Sequence, residues 1–128
     1  VYGDAAYDLV SLLEDARRDV SPNLAQAMLQ RYIDKAALGT GSTRLRAAYA
    51  ILGAQRNCKI IGIFARLAAR DGKLHYLHYL PRVWRHLEHD LSLPALSPLK
   101  DWLNTYVPQQ SRGAIALRFS AGELAQTA

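Results

Sequence analysis

The chain has 128 residues, half of them hydrophobic and 21% charged, which is the composition of a globular domain and not of a disordered chain. Its net charge of +5 comes from arginines and lysines scattered along the sequence, a distribution that argues against a nucleic-acid-binding stripe. A single cysteine excludes an internal disulfide, and no apolar run approaches the roughly 20 residues needed to cross a bilayer. No signal peptide is visible, so we expect a soluble cytoplasmic protein that binds neither membrane nor nucleic acid.

Two helices are predicted in the first part of the chain. Asp4 is a good N-cap for the first, which should run over about residues 5–18. Ser21 followed by Pro22 predicts the start of the second, because serine caps well and proline is tolerated in the first turn. The second helix should end near Leu38. Helical spacing assigns these side chains to the core: Leu9, Leu12, Leu13, Ala16, Leu24, Met28, Tyr32 and Ile33.

A long third helix is predicted next. Ser42 or Thr43 would cap it, and Gly72 would end it in the left-handed conformation that glycine adopts easily. Such a helix would span roughly 40 Å. Gly53 and Gly62 lower the stability of its interior, which suggests that a neighbouring helix packs closely at both positions.

Two shorter helices complete the predicted fold. Pro81 interrupts an aromatic segment and starts a fourth helix that should reach about residue 91. Ser97 with the proline after it opens a fifth helix to residue 106, with Trp102 and Leu103 as its core side chains. The predicted fold class is therefore all-α, with about five helices.

Signatures of catalysis are mostly absent from the sequence. No glycine-rich loop carries the lysine of a phosphate-binding loop, and no nucleophile motif is present. Cys58 lies among apolar neighbours in the third helix, which predicts a buried structural thiol. The histidines form two i, i+3 pairs, His75 with His78 and His86 with His89. Zinc-binding helices use an i, i+4 pair, so we expect solvated or salt-bridged histidines and no metal site.

The first residues of the chain form a motif that resembles one found in a known protein family. Gly3-Asp4-x-x-Tyr7-Asp8-Leu9, followed by an apolar helix, resembles the sequence just after the metal-binding aspartate strand in the aminoglycoside phosphotransferase and choline kinase-like family. Further matching segments follow in order: EDARRDVSP from residue 14, GAQRNCKIIGIFARL from 53, DGK from 71 and YLPRVW from 79. They resemble most the bacterial branch that phosphorylates N-acetylmuramate and N-acetylglucosamine at the anomeric hydroxyl. The resemblance covers about residues 2–107.

The resemblance implies that residues 1–107 form the C-terminal helical subdomain on the acceptor side of a larger kinase. In this family the nucleotide-binding lobe, the catalytic loop with its aspartate base and metal-ligand asparagine, and the second metal-binding aspartate precede the matching segment. The implied partner is that missing N-terminal catalytic portion, which would bind ATP and Mg²⁺ in the intact protein. This chain would hold no cofactor and would be inactive alone. Residues 108–128 are expected to be a tail, within which 114–119 form either a short strand or a docked segment.

The resemblance also implies roles for single residues. Asp8 would be a structural anchor that hydrogen-bonds the backbone of the absent catalytic loop; a helix N-terminus also favours such a charge without any further role. The candidates for binding the acceptor sugar are Asp15, Arg18, Gln55, Arg56 and Asn57. An arginine among them would suit the carboxylate of N-acetylmuramate or a nucleotide phosphate. Which of them face the pocket, and which of the two sugars is the acceptor, stays open.

An alternative hypothesis to the kinase subdomain is a stand-alone helical interaction module that binds protein or, with less support, nucleic acid. No helix-turn-helix pair with a recognition helix stands out, which weakens the nucleic-acid version. Without a neighbouring lobe the helices would expose apolar surface, and exposed apolar surface commonly drives association. We therefore expect self-association into a dimer or a larger oligomer.

Overall fold

A computed structural model describes residues 3–112 of the chain, and these residues form helices and connecting turns without any strand. The elements are α1 (Ala5–Leu13), α2 (Pro22–Lys35), α3 (Gly41–Asp71), a 3₁₀ helix (Leu74–Tyr79), α4 (Leu80–Asp90), a second 3₁₀ helix (Pro94–Leu96) and α5 (Ser97–Tyr106). The predicted all-α fold class is confirmed for this part of the chain. Residues 109–112 are again helical, whereas the segment 114–119 lies outside the described residues.

The first two helices start at their predicted caps, whereas α3 starts at Gly41 with Thr40 as its N-cap and without a side-chain cap hydrogen bond, so the predicted cap at Ser42 or Thr43 is wrong. Asp4 accepts a hydrogen bond from the backbone N–H of Ala6 at 2.9 Å, and the Ser21 hydroxyl accepts one from the N–H of Leu24 at 3.2 Å. α3 ends at Gly72, whose φ of 64° is the left-handed conformation expected there. Each of these caps depends on residues within one turn of helix, so it can be predicted from the sequence alone.

The first helix is shorter than predicted. It ends at Leu13 and does not continue to residue 18. The carboxylate of Asp15 accepts a hydrogen bond from the backbone N–H of Arg17 at 2.8 Å. Such a local bond offers the backbone an alternative to the helical ladder, and the chain turns here towards α2.

α3 is the central element, with 31 residues and a length of roughly 46 Å. Its first half packs against α1 and α2 around an apolar cluster of Ala6, Val10, Leu13, Leu29, Ile33, Leu45 and Tyr49. Its second half packs against the 3₁₀ helix 74–79, α4 and α5 around Ala54, Ala68, Leu77, Leu80, Trp84, Leu87, Leu91 and Leu103. One helix thus connects two apolar clusters.

Several predicted core positions are wrong. Leu12, Leu24 and Met28 are 62%, 49% and 37% exposed. Ile33 is buried as predicted, and its buried partner on α2 is Leu29, because apolar residues occur on both sides of this helix and the stripe with Leu29 and Ile33 faces α1 and α3. In α5 the buried side chain is Leu103.

Trp102 is also misassigned to the core. It is 55% exposed and lies against Tyr106 on the outer side of α5, with 5.1 Å between the ring centroids. α5 meets the second apolar cluster through one side only, so the two neighbouring residues Trp102 and Leu103 cannot both be buried.

The two glycines in the interior of α3, Gly53 and Gly62, have different surroundings. Gly53 is buried, and a Cβ built on it would lie 2.5 Å from Oδ2 of Asp90, so the predicted close packing is confirmed. Gly62 is exposed and has nothing within 4 Å of its Cβ position, so the same prediction is wrong there. The two positions are nine residues apart; at 3.6 residues per turn they lie on opposite sides of the helix.

Cys58 is half-buried at the edge of the second apolar cluster and is not the fully buried thiol predicted. Burial raises the pKa of its thiol, with a smaller contribution from the charge of Asp90. Because the thiolate is the reactive form, the shift makes Cys58 less reactive at neutral pH.

The end of the described chain is tied to α4 by Arg112. Its Nη1 donates to Glu88 at 2.9 Å, its Nε donates to the carbonyl of Val107 at 2.8 Å, and its guanidinium lies 4.7 Å from the ring centre of Trp84. Only 6% of Arg112 is exposed.

Among residues 3–112, no helix is both long enough and apolar enough to span a membrane.

Candidate functional site: a buried polar network beside a small cavity

Three polar side chains meet in the interior where the end of α1, the middle of α3 and the end of α4 converge. Glu14, Asn57 and Asp90 are 5%, 0% and 1% exposed. The amide nitrogen of Asn57 donates to Oε2 of Glu14 at 2.9 Å and to Oδ2 of Asp90 at 3.0 Å. One amide group therefore joins two buried carboxyl groups that come from different helices.

The spacing along α3 creates the room for this network. Tyr49, Gly53 and Asn57 are four residues apart and lie on one face of the helix. Because Gly53 has no side chain, the Asp90 carboxyl group packs directly on the α3 backbone next to Asn57. Tyr49 is buried beside this network, and burial, together with the charge of Glu14, raises the pKa of its hydroxyl.

The protonation of the network differs from that of carboxylates in water. Burial raises the pKa of Asp90 and of Glu14, since a buried carboxylate loses its hydration. The charge of Glu14 raises the pKa of Asp90 further, while the Asn57 amide favours the ionised forms. Two like charges this close cannot both persist in the interior, so the pair holds a proton at neutral pH.

A cavity of about 110 Å³ adjoins this network. It lies between the segment that links α1 to α2, α2 itself, α3 and α4, and its walls are Leu13, Glu14, Asp19, Val20, Pro22, Ala25, Gln26, Tyr49, Arg85, His86 and His89. Nη1 of Arg82 on α4 donates to the carbonyl of Ala16 at 3.1 Å and holds the linking segment in place. Glu14 and Tyr49 belong to both the network and the cavity wall.

One of the two predicted histidine pairs lines the cavity. Nε2 of His89 lies 3.2 Å from the side-chain nitrogen of Gln26, and this contact joins α4 to α2. His86 is half-buried; burial lowers its pKa, and its Nδ1 finds no hydrogen-bond partner in residues 3–112. In the other pair, the ring of His75 stacks on Tyr76 at 4.2 Å. Within the described part of the chain, no group of three His, Cys, Asp or Glu side chains is placed to hold a metal ion.

The structure places the predicted site residues at different locations. Asp8 is exposed in the first turn of α1. Asp15 is largely covered by the turn that follows α1, and its Oδ2 lies 3.9 Å from Nε of the exposed Arg18. Asp8 and Arg18 are thus accessible and Asp15 is mostly covered, and none of the three lines the cavity in the described part of the chain.

The three consecutive candidates on α3 point in different directions, as neighbouring helical residues must. Gln55 is exposed, and Arg56 is half-buried with its guanidinium carbon 5.9 Å from the ring centre of Tyr7. Asn57 is fully buried and is the one candidate that belongs to the network.

Four residues of this site were missed by reasoning from the sequence: Glu14, Tyr49, Gly53 and Asp90. Two signals were present. One is the Tyr49-Gly53-Asn57 spacing, which puts a glycine between two polar residues on one helix face. The other is an aspartate at the end of α4, where the helix dipole disfavours a negative charge and a tertiary partner is needed to explain it.

Comparison with known proteins finds sequence similarity to sugar kinases. It is 45% identical over 112 residues to the N-acetylmuramate/N-acetylglucosamine kinase of Caulobacter vibrioides, a match that covers 88% of this chain and 31% of that protein. The kinases of the same name from Pseudomonas aeruginosa and Neisseria meningitidis are each 38% identical, over 93 and 92 residues, and 28% of each is covered. No family model matches the chain.

The similarity extends over most of this chain but over less than a third of each of these relatives. The chain is therefore similar to one segment of these kinases, which agrees with the branch that its motifs resemble. The wider aminoglycoside phosphotransferase family stays a prediction.

Proposed function

We propose that this chain is the acceptor-side helical part of an ATP-dependent phosphotransferase that phosphorylates a cell-wall amino sugar, N-acetylmuramate or N-acetylglucosamine. The observation that carries the proposal is the 45% identity over 112 residues to a kinase named for both sugars. ATP and Mg²⁺ would be bound by other parts of the whole protein, and this chain by itself would be inactive.

Phosphoryl transfer depends mainly on the positioning of the acceptor and on stabilisation of the developing charge. The contribution of this chain would be positioning. The network of Glu14, Asn57 and Asp90 fixes three helices relative to one another, and the cavity beside it supplies a pocket with both polar and apolar walls. A rigid framework of this kind suits an acceptor site, because small displacements of the acceptor slow such reactions strongly.

Surface residues near the start of the chain would face the catalytic part. Asp8 is exposed at the N-terminal end of α1, where its carboxylate is free to meet backbone N–H groups of another segment. Arg18, Gln55 and Arg56 are accessible to a ligand to differing degrees, whereas Asn57 would act on the acceptor only through the structure around it.

The experiment is to express the protein encoded by the whole reading frame that contains this chain and to incubate it with ATP, Mg²⁺ and each sugar. Formation of the sugar 1-phosphate, followed by ³¹P NMR, is the expected result. A chimera in which this chain replaces its matching segment in the Caulobacter vibrioides kinase should retain turnover, and a chimera in which an unrelated helical segment of equal length replaces it is the control. Absence of product in both the whole protein and the chimera would overturn the proposal.

A second candidate function is a helical interaction module. It is supported by large apolar side chains that remain exposed among the described residues, including Leu12, Leu24, Ile51, Trp102 and Tyr106. This candidate predicts self-association or partner capture without turnover, so the same kinase assay separates the two functions.

A further inference from the structure

The lining of the cavity beside Glu14 combines apolar and polar side chains. The apolar ones come from the end of α1, the linking segment and the first turns of α2: Leu13, Val20, Pro22 and Ala25. The hydrogen-bonding ones come from the end of α1 and from α2, α3 and α4: Glu14, Gln26, Tyr49, His86 and His89. A ligand group that fills this space therefore meets apolar side chains as well as groups that donate and accept hydrogen bonds.

The buried part of the lining favours a neutral ligand group over an anion. Burial lowers the pKa of His86, which favours the neutral form of its side chain, and Arg85 is exposed. Glu14 and Asp90 together hold a proton, and the carboxyl group of Glu14 can accept a hydrogen bond from a ligand. The lining therefore offers no buried positive charge that would attract an anion.

The cavity has room for part of a sugar. Its volume of about 110 Å³ holds several water molecules, and one substituent of a sugar fits in this space. The ring would then lie towards the opening of the cavity, where the rest of the protein could reach it.

We propose that this cavity binds the acetamido group of an N-acetylated amino sugar, an inference that rests on the proposed function. The methyl group would lie against Val20, Pro22 and Ala25. The amide N–H and C=O would exchange hydrogen bonds with polar groups of the lining. N-acetylmuramate and N-acetylglucosamine share this substituent and differ in the lactyl ether, so one cavity would accept both.

The test uses two pairs of variants, of which the first fills the cavity without removing any polar group. Ala25→Phe fills the cavity from α2, and Ala27→Phe adds the same side chain at an exposed position on the same helix. A second pair is His86→Ala, in the cavity wall, with His78→Ala on the 3₁₀ helix as its control. Circular dichroism and thermal melting of each variant confirm that it is folded.

Isothermal titration calorimetry on the protein encoded by the whole reading frame gives Kd for N-acetylglucosamine, glucosamine and glucose without ATP. N-acetylglucosamine should bind at least about tenfold tighter than the two sugars that lack the acetyl group. Ala25→Phe and His86→Ala should each weaken its binding by about tenfold or more, while both control variants keep the original Kd.

The outcomes separate this inference from the proposed function. Equal affinity for all three sugars, or unchanged Kd in both folded cavity variants, would overturn the acetamido site even if the protein phosphorylates sugars. Selective binding of N-acetylglucosamine without any turnover would support the site and overturn the kinase function.

Discussion

The carboxyl group of Asp90 occupies the space that a side chain at position 53 would fill. A Cβ on Gly53 would lie 2.5 to 2.7 Å from all three carboxyl atoms of Asp90, closer than real Cβ atoms approach any neighbour. This contact allows α4 to bring a carboxyl group directly onto the backbone of α3, where Asn57 can bind it.

Gly53→Ala should therefore destabilise the protein, although the same exchange at an unconstrained helix position stabilises it. We expect a loss of about 1–3 kcal/mol in the free energy of unfolding, because Asp90 must move away from Asn57. Gly62→Ala, in the same helix with open space around it, should gain up to about 1 kcal/mol. Urea unfolding of both variants measures the two effects, and equal shifts of the same sign would contradict the packing described.

Asp90→Asn should remove a pH dependence of stability. The pKa of Asp90 is raised to about 9 in the folded protein, from an ordinary value of 3.8. Its contribution to stability is complete below pH 3.8 and declines as the pH rises towards 9, because the unfolded chain releases a proton that the folded chain retains. An asparagine keeps an uncharged hydrogen-bonding group at this position throughout.

The free energy of unfolding of the wild-type chain and of Asp90→Asn should thus be similar near pH 4, with the variant more stable by about 1–3 kcal/mol at pH 8. Asp101→Asn, at an exposed position of α5, is the matched control and should follow the wild-type profile. If the free energies of unfolding of wild type and Asp90→Asn change in parallel between pH 4 and pH 8, folded Asp90 does not retain a proton that the unfolded chain releases.

Variants at neighbouring positions of α3 should separate structural from ligand-binding roles. Asn57→Leu leaves two buried carboxyl groups without their common donor and should cost about 2–4 kcal/mol of stability. Gln55→Leu, two residues away and exposed, should change stability by less than about 0.5 kcal/mol.

If Arg56 binds the acceptor, Arg56→Ala should raise KM for the sugar in the whole protein, with little change in the melting temperature. Asn57→Leu should give the opposite combination, a lower melting temperature with KM close to that of the wild type at temperatures where the variant is folded. Steady-state kinetics together with thermal melting test this assignment. An unaltered KM in Arg56→Ala would remove Arg56 from the binding candidates.

Self-association is expected to depend on exposed aromatic surface. Trp102 and Tyr106 lie side by side on the outer face of α5, 55% and 68% exposed. The double variant Trp102→Ser with Tyr106→Ser should shift the chain towards the monomer in light scattering, because it removes this apolar surface. Lys100→Ser with Thr105→Ser is the control on the same helix. A wild-type chain that is monomeric at high concentration would disprove the expectation.

The local features of this fold were predictable from the sequence. The capping by Asp4 and Ser21 and the glycine stop at Gly72 depend on hydrogen bonds and backbone conformations within one turn of helix. The same holds for the helical class itself, which follows from the spacing of apolar residues. The early end of α1 was missed because the Asp15 side chain competes with the helix for a backbone N–H.

The inward side of each helix was decided by its neighbours. α2 contains one apolar stripe with Leu24 and Met28 and another with Leu29 and Ile33, and only contact with α1 and α3 selects the second. The two glycines in the interior of α3 look alike in the sequence, yet only Gly53 meets another helix.

The candidate site likewise depends partly on local sequence and partly on contacts between distant segments. The sequence determined that the chain is helical and that its motifs resemble a branch of sugar kinases, because both depend on residues close together along the chain. The meeting of Glu14, Asn57 and Asp90, and the cavity beside them, was decided by the tertiary structure alone. Asn57 is 43 positions from Glu14 and 33 positions from Asp90 in the sequence. No local spacing of residues specifies which helix ends come together around the amide group of Asn57.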